Sequence, residues 1–187
     1  VSVSFRSTQP EGSSWHPSIS GNGSLVAFQS SAADLVPEDT NNTDDVFVRD
    51  WQLGVTTRVS VSNDEEEADY ASLAPSVSAD GRYVAFFSSA TNLVDRSIDD
   101  GWQIFVRDRH LGETKLVSVG PNTSPGDGAP WYPAMSADGR YVAFYSAATN
   151  LVSDDTEGQY DVFVHDLRTG DTTRISLTPR PGSDRRE

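Results

Sequence analysis

The chain has no cysteine and a single methionine, and its 14 basic residues face 28 acidic ones, a net charge of −14 over 187 residues. Without cysteine there can be no disulfide, thiolate nucleophile, iron–sulfur cluster or Cys-ligated zinc. The shortage of Lys and Arg argues against nucleic acid as a partner, because binding it normally requires a basic surface that displaces counterions from phosphates. Anionic lipid is disfavoured for the same reason, unless a cation bridges the two surfaces. Long apolar runs are missing as well. The longest span about five residues, as at Tyr83–Phe87, whereas a membrane-crossing helix needs ~20. No basic-then-apolar leader opens the chain. It starts VSVSF, which reads as a strand, so the expectation is that a signal sequence was removed or never included.

What the chain does have is a repeat. The string SADGRYVAF occurs at 78–86 and again at 136–144, an offset of 58. One further step back finds SGNGSLVAF at 20–28. The register then holds throughout: Pro17, Pro75 and Pro133 correspond, as do Leu35, Leu93 and Leu151, and Phe47, Phe105 and Phe163. Even the first residues fit, since Val1-Ser2-Val3-Ser4 repeats Val59-Ser60-Val61-Ser62. Three units without insertion, plus a short remainder, indicate a repeat architecture.

Each unit reads as four strands rich in Val, Phe and Thr. In the first copy these are expected at 16–20, 25–30, 45–50 and 56–62. Asn22-Gly23, Asp80-Gly81 and Asp138-Gly139 sit between the first two strands. Such pairs favour a hairpin turn in which both central residues take positive φ. The second strands (LVAF, YVAFF, YVAFY) are apolar on both faces, so neighbouring sheets are expected to cover both sides. Small antiparallel four-stranded sheets stacked face to face make a β-propeller. A β-sandwich would not explain the constant register.

The pattern P-x-[IVM]-S-x-[DN]-G-x-x-V-A-F, followed by a DVFVRD-type third strand, resembles the TolB-like (WD-like) propeller repeats of bacterial envelope and secreted proteins. The resemblance runs over essentially the whole chain, three times. It implies a propeller of six to eight blades, often a binding platform, in an extracellular or periplasmic setting. Some relatives carry an adjacent peptidase domain, which these residues do not include.

The expected organisation is therefore all-β: an outer strand at 1–5, blades at 14–62, 72–120 and 130–178, and a Pro-, Gly- and charge-rich tail at 179–187. Propellers usually need about four to eight blades to close. Three would leave two apolar faces open and invite association. The expectation is a homodimer closing a six-bladed ring, with a fragment of a longer propeller as the alternative. Either 1–5 or 173–178 could supply the closing fourth strand.

Two sets of residues stand out as candidate sites. The loop before the third strand reads DTNNTDD in copy one and DTEGQYD in copy three. Asp39, Asn41 and Asp45, and likewise Asp155, Glu157 and Asp161, offer the hard oxygens that calcium prefers. Copy two keeps only Asp99 at the matching places, beside Ser97 and Gln103. The alternative is that these residues cap a turn through their own backbone. No other cofactor is implied. The second set lies where the innermost strands begin: Trp15 and His16 in copy one, Trp131 and Tyr132 in copy three, with Leu73 and Ala74 between. Side chains that vary on a constant frame suit a ligand-binding channel mouth. The alternative is packing between blades.

No nucleophile–base pair is apparent, and the three histidines fall at different places in the unit. The leading functional reading is a non-enzymatic binding or scaffold module that self-associates, with a small-molecule, glycan or protein ligand. The alternatives are a lectin-like carbohydrate binder and a glycan-acting hydrolase using the acidic run Glu65, Glu66, Glu67 and Asp69.

Overall fold

The structure, a computed structural model, describes residues 2–4, 8–98, 101–154 and 158–176. Twelve strands form three separate four-stranded antiparallel sheets, each in the simple order of the chain. The first contains β1 (Ser14–Ile19), β2 (Leu25–Ser30), β3 (Asp45–Asp50) and β4 (Val55–Arg58). The second contains β5 (Ser72–Val77), β6 (Tyr83–Ser88), β7 (Gln103–Asp108) and β8 (Glu113–Leu116). The third contains β9 (Pro130–Met135), β10 (Tyr141–Ser146), β11 (Asp161–Asp166) and β12 (Thr172–Arg174). Apart from one 3-10 turn at Pro121–Thr123, no helix occurs among the described residues.

The sheets pack as blades. β5 lies across β1, β2 and β3, and β9 lies across β5, β6 and β7. One apolar cluster joins Ala27, Val46 and Val48 of blade one to Val77, Val84 and Phe86 of blade two. A second joins Phe87, Ile104 and Val106 to Val142, Phe144 and Phe163 of blade three. In each blade the repeated phenylalanines form a ring pair, Phe28–Phe47, Phe86–Phe105 or Phe144–Phe163, all with centroids 5.9 Å apart. Each buried ring contributes about 1.5–3 kcal/mol.

Two sequence expectations need correction. At the hairpin, only the glycine is left-handed, at φ 73° for Gly23. Asn22 instead uses its side-chain oxygen to accept from Ser20 Oγ and Ser24 N, and the turn closes through Gly23 N to Ser20 O at 2.9 Å. The fourth strand also stops at Arg58 rather than running to Ser62. There the Ser60 hydroxyl accepts the Val46 N–H at 3.1 Å and donates to Asp45 Oδ1 at 2.5 Å, so a side chain takes the place of the ladder. Residues 2–4 accordingly match the segment beyond a fourth strand, and none of them lies in a strand. Ser4 N bonds Thr8 O just as Ser62 N bonds Glu66 O. Blade three pairs with its own fourth strand, β12.

Candidate functional site

Strand pairing sets Ser14 against Ser30 and Ser30 against Asp45. The starts of the innermost strands and the acidic loops therefore lie at the same end of the blades. At that end every innermost strand has a bulge, and the bulged residue is left-handed each time: His16 at φ 49°, Ala74 at 46° and Tyr132 at 45°. A bulge re-aims a side chain, and a left-handed residue other than glycine is costly. The frame repeats while the side chain changes from His to Ala to Tyr.

The small Ala74 leaves room for its neighbours on both sides. The rings of His16 and Tyr132 come within 6.3 Å of each other across blade two. Tyr132 also stands 6.4 Å from Phe87 and 6.2 Å from Tyr145, and Tyr145 meets Tyr160 edge-on at 5.7 Å. Phe87 in turn touches Trp131 at 5.4 Å and Trp102 at 4.8 Å. The result is a continuous aromatic strip over blades two and three. On blade one the equivalent places hold Gln29 and Asp44 instead of Phe87 and Trp102, so the rim has an aromatic side and a polar side. Gln29 Oε1 accepts from Ala74 N at 2.9 Å and lies 2.9 Å from His16 Nδ1. A carboxamide oxygen only accepts, so Nδ1 is the donor in this contact and Nε2 is left outside it.

Of the four rim residues picked out from sequence, Tyr132 (56% exposed) and Trp15 (46%) present large open surfaces. His16 is exposed as well, whereas Trp131 is half-buried against Phe87. Sequence reading missed Phe87, Tyr145, Tyr160 and Trp102. The signal was available: Phe87 and Tyr145 pair across the ladder with Leu73 and Trp131.

The acidic loop of copy one converges with a residue that the sequence had assigned to a separate acidic run. Carboxylate oxygens of Asp39, Asp45 and Glu67 lie within 4.8 Å of one another. Arg58 sits among them, its side chain 9% exposed, 2.7 Å from Glu67, 3.2 Å from Asp39 and 3.9 Å from Asp45. Asn41 aims its amide nitrogen at Asp45 Oδ2 (2.8 Å) and Ala68 O (2.9 Å), while its oxygen accepts from Thr43 N. It is engaged as a turn cap. Burial pushes the Asp45 carboxyl up to about 6 against the pull of Ser60 and Arg58, and also raises Asp39. Burial would raise Glu67 too, but the Thr40 hydroxyl, the Thr40 N–H and Arg58 together hold it down.

Copy three repeats the aspartate–serine–arginine part of the arrangement. Asp161 accepts from Ser176 Oγ and pairs with Arg174 at 3.3 Å. Asp155 and Glu157 lie outside the described residues. Copy two carries Leu116 in place of the arginine, and there Gln103, in place of Asp45, accepts from Ser118 Oγ at 2.5 Å. Where the arginine is missing, Ser97, Gln103 and Pro125 stand for Asp39, Asp45 and Glu67. Arg58 and Arg174 thus accompany Asp45 and Asp161, whereas Leu116 accompanies Gln103.

Three side chains of the acidic run engage separate partners. Glu65 bonds Arg107, Glu67 holds Arg58 and Thr40, and Asp69 accepts from Thr91 N and Oγ1. His165 takes the place of Arg49 and Arg107 and bonds Thr172 as those arginines bond Thr56 and Thr114.

No family model matches the chain. No curated protein matches it either. Solved structures do. A TolB structure from Agrobacterium tumefaciens superposes with a TM-score of 0.55 at 18% identity, over 87% of this chain and 48% of that one. TolB from Acinetobacter baumannii gives 0.52 at 20% identity, over 91% and 33%. Porphyromonas gingivalis dipeptidyl peptidase 4 gives 0.53 at 15% identity, over 85% and 25%. The chain thus spans half or less of the length of these relatives. The repeat, the three four-stranded sheets and these superpositions agree that the chain has the TolB-like β-propeller fold.

Proposed function

We propose that the chain is a binding module whose ligand seats on the aromatic and histidine rim at the mouth of the propeller channel, and that two copies associate to complete a six-bladed ring. One observation carries the first part. The left-handed bulge recurs in every blade, yet its side chain is His16, Ala74 or Tyr132, and the two large ones approach each other over the small one. A structural role common to all blades would favour a common residue, whereas a ligand seat favours varied ones on a rigid frame. The exposed Tyr132 face suits stacking against a sugar ring or an apolar side chain, with His16 Nε2 and Gln29 as polar anchors. The rim's acidic surroundings favour neutral or cationic ligands. An envelope or secreted location follows from the TolB-like resemblance. No helix among the described residues is long and apolar enough to cross a membrane.

Screening the protein on glycan and peptide arrays tests the reading. Tyr132→Ala is expected to weaken a captured ligand by about tenfold or more, the loss of one aromatic anchor, with unfolding temperature little changed because Tyr132 is exposed. Full binding by Tyr132→Ala and His16→Ala would sink the proposal.

Calcium is the rival occupant of the loop holding Asp39, Asn41 and Asp45. To enter, it must displace Arg58, which already neutralises part of the same charge. Calorimetric titration with calcium chloride is expected to give no heat of specific binding. A saturable site abolished by Asp45→Asn would establish calcium there.

A further inference from the structure

We infer that the outward face of blade three is built to receive blade one of a second copy, through the same contacts that join the blades within the chain. This rests on the self-association proposed above and specifies its surface. The two internal junctions show what such a surface looks like. At each, the innermost strand of the following blade is pressed onto the preceding sheet. Val77 is 8% exposed there, whereas its blade-one equivalent Ile19 is 63% exposed. On the receiving side, Val46 and Ile104 are fully buried, whereas their blade-three equivalent Val162 is 43% exposed. Ile19 and Val162 are the apolar halves of one missing junction, found at opposite ends of the arc.

The finer contacts point the same way. Leu25 packs so tightly over Gly81 that a Cβ there would overlap it, and Tyr83 covers Gly139 in the same manner. The third pair in this series is Tyr141 with Gly23. Tyr141 is 37% exposed, and a Cβ on Gly23 would meet nothing within 4 Å. The backbone repeats as well. Gly21 N donates to Ala79 O at 2.8 Å, and Ala79 N to Ala137 O at 2.9 Å. Ala137 N then matches Gly21 O of the second copy. Each copy offers one knob end and one hole end, so two copies related by a twofold axis satisfy both junctions and close.

One contact in the series is absent. Ser18 Oγ accepts from Val77 N at 3.1 Å, and Ser76 Oγ accepts from Met135 N at 2.9 Å. Blade three has Ala134 at this place, which cannot accept the Ile19 N–H of the second copy. The junction between copies is therefore the weakest of the series, and Ala134→Ser should tighten it. A restored hydrogen bond is worth about 1 kcal/mol, roughly fivefold, and it counts twice in a twofold ring.

The test is the solution mass of the 187-residue chain across a concentration series by sedimentation. The expected mass is twice the chain's 20.3 kDa. Ile19→Glu puts a charge into both apolar junctions and should weaken the dimer by at least about 100-fold. Leu53→Glu, at a 77% exposed position on an outer turn, should not. Both sites are exposed in the single copy, so a circular dichroism spectrum like that of the wild type confirms that the fold survives. A dimer indifferent to Ile19→Glu, Val162→Asp and Ala134→Ser would overturn this surface and leave self-association standing. A chain that stays at 20.3 kDa up to millimolar concentration would overturn both, and open polymers would overturn the closed two-copy ring.

Discussion

Replacing Arg58 by alanine is expected to destabilise the protein by about 3 kcal/mol or more, the usual cost of removing one partner from a buried ionic cluster. Arg58 is the cation among Asp39, Asp45 and Glu67, and Asp45 is fully buried. Its removal leaves three carboxylates facing one another with no cation between them. Blade two provides the control, because Ser97, Gln103, Leu116 and Pro125 stand there for Asp39, Asp45, Arg58 and Glu67. Installing its residues together (Asp39→Ser, Asp45→Gln, Arg58→Leu and Glu67→Pro) is expected to cost about 1 kcal/mol or less, since well-packed neutral groups often equal a buried ion cluster. Urea denaturation midpoints at constant m-value check both expectations. An Arg58→Ala midpoint equal to that of the wild type would show that the cluster is solvated and carries no structural load.

The buried Asp45 carboxyl gives a second large effect, visible in the dependence of stability on pH. Its value of about 6 in the fold lies above the 3.8 of a free side chain. The folded state therefore holds the proton more tightly than the unfolded one. This contribution to stability is fully present below pH 3.8 and is lost as pH rises through about 6. Asp45→Asn cannot ionise and escapes that loss. Its stability relative to the wild type should therefore rise between pH 4 and pH 7 by about 1–3 kcal/mol. Asp108 and Asp166 act in the opposite sense. Burial would raise Asp108, but Arg82 and the turn N–H groups of Leu111 and His110 hold it at about 2; Arg140 and Arg168 N–H do the same for Asp166. Their stabilising effect is present above 3.8 and lost as pH falls toward 2, so comparing Asp45→Asn with the wild type isolates Asp45. A difference that stays flat from pH 4 to pH 7 would contradict the assignment.

Most of the fold was legible because the repeat turns one sequence into three readings of the same unit. DVFVRD, QIFVRD and DVFVHD became β3, β7 and β11 at the expected limits, and LVAFQS and its copies became β2, β6 and β10. Strands buried on both faces have little freedom of register. The ends of the outer strands were not legible, because Ser60 and its equivalents substitute a hydroxyl for the ladder, and composition does not show that. Burial was misjudged where a neighbour is missing. YVAFY looks like YVAFF, yet β10 alternates in exposure while β6 is closed over.

The candidate sites were legible in part. Trp15, His16, Trp131 and Tyr132 were found because they vary against the frame, but the aromatic strip also needs Tyr145 and Tyr160, which reach it from another strand and from a loop. In the acidic loop, Glu67 and Arg58 were missed because each is separated from Asp39 by a strand or a loop in sequence. Comparing copies would have exposed the link: Arg58, Leu116 and Arg174 track Asp45, Gln103 and Asp161.

The most direct test of the account is hydrogen–deuterium exchange on the wild-type protein, with and without a ligand captured on the arrays. The rim reading predicts ligand-dependent protection at 14–19 and 130–135, the strands carrying Trp15, His16, Trp131 and Tyr132. Protection confined to the loop at 38–45, with the rim strands unchanged, would contradict it and move the binding site to the acidic cluster.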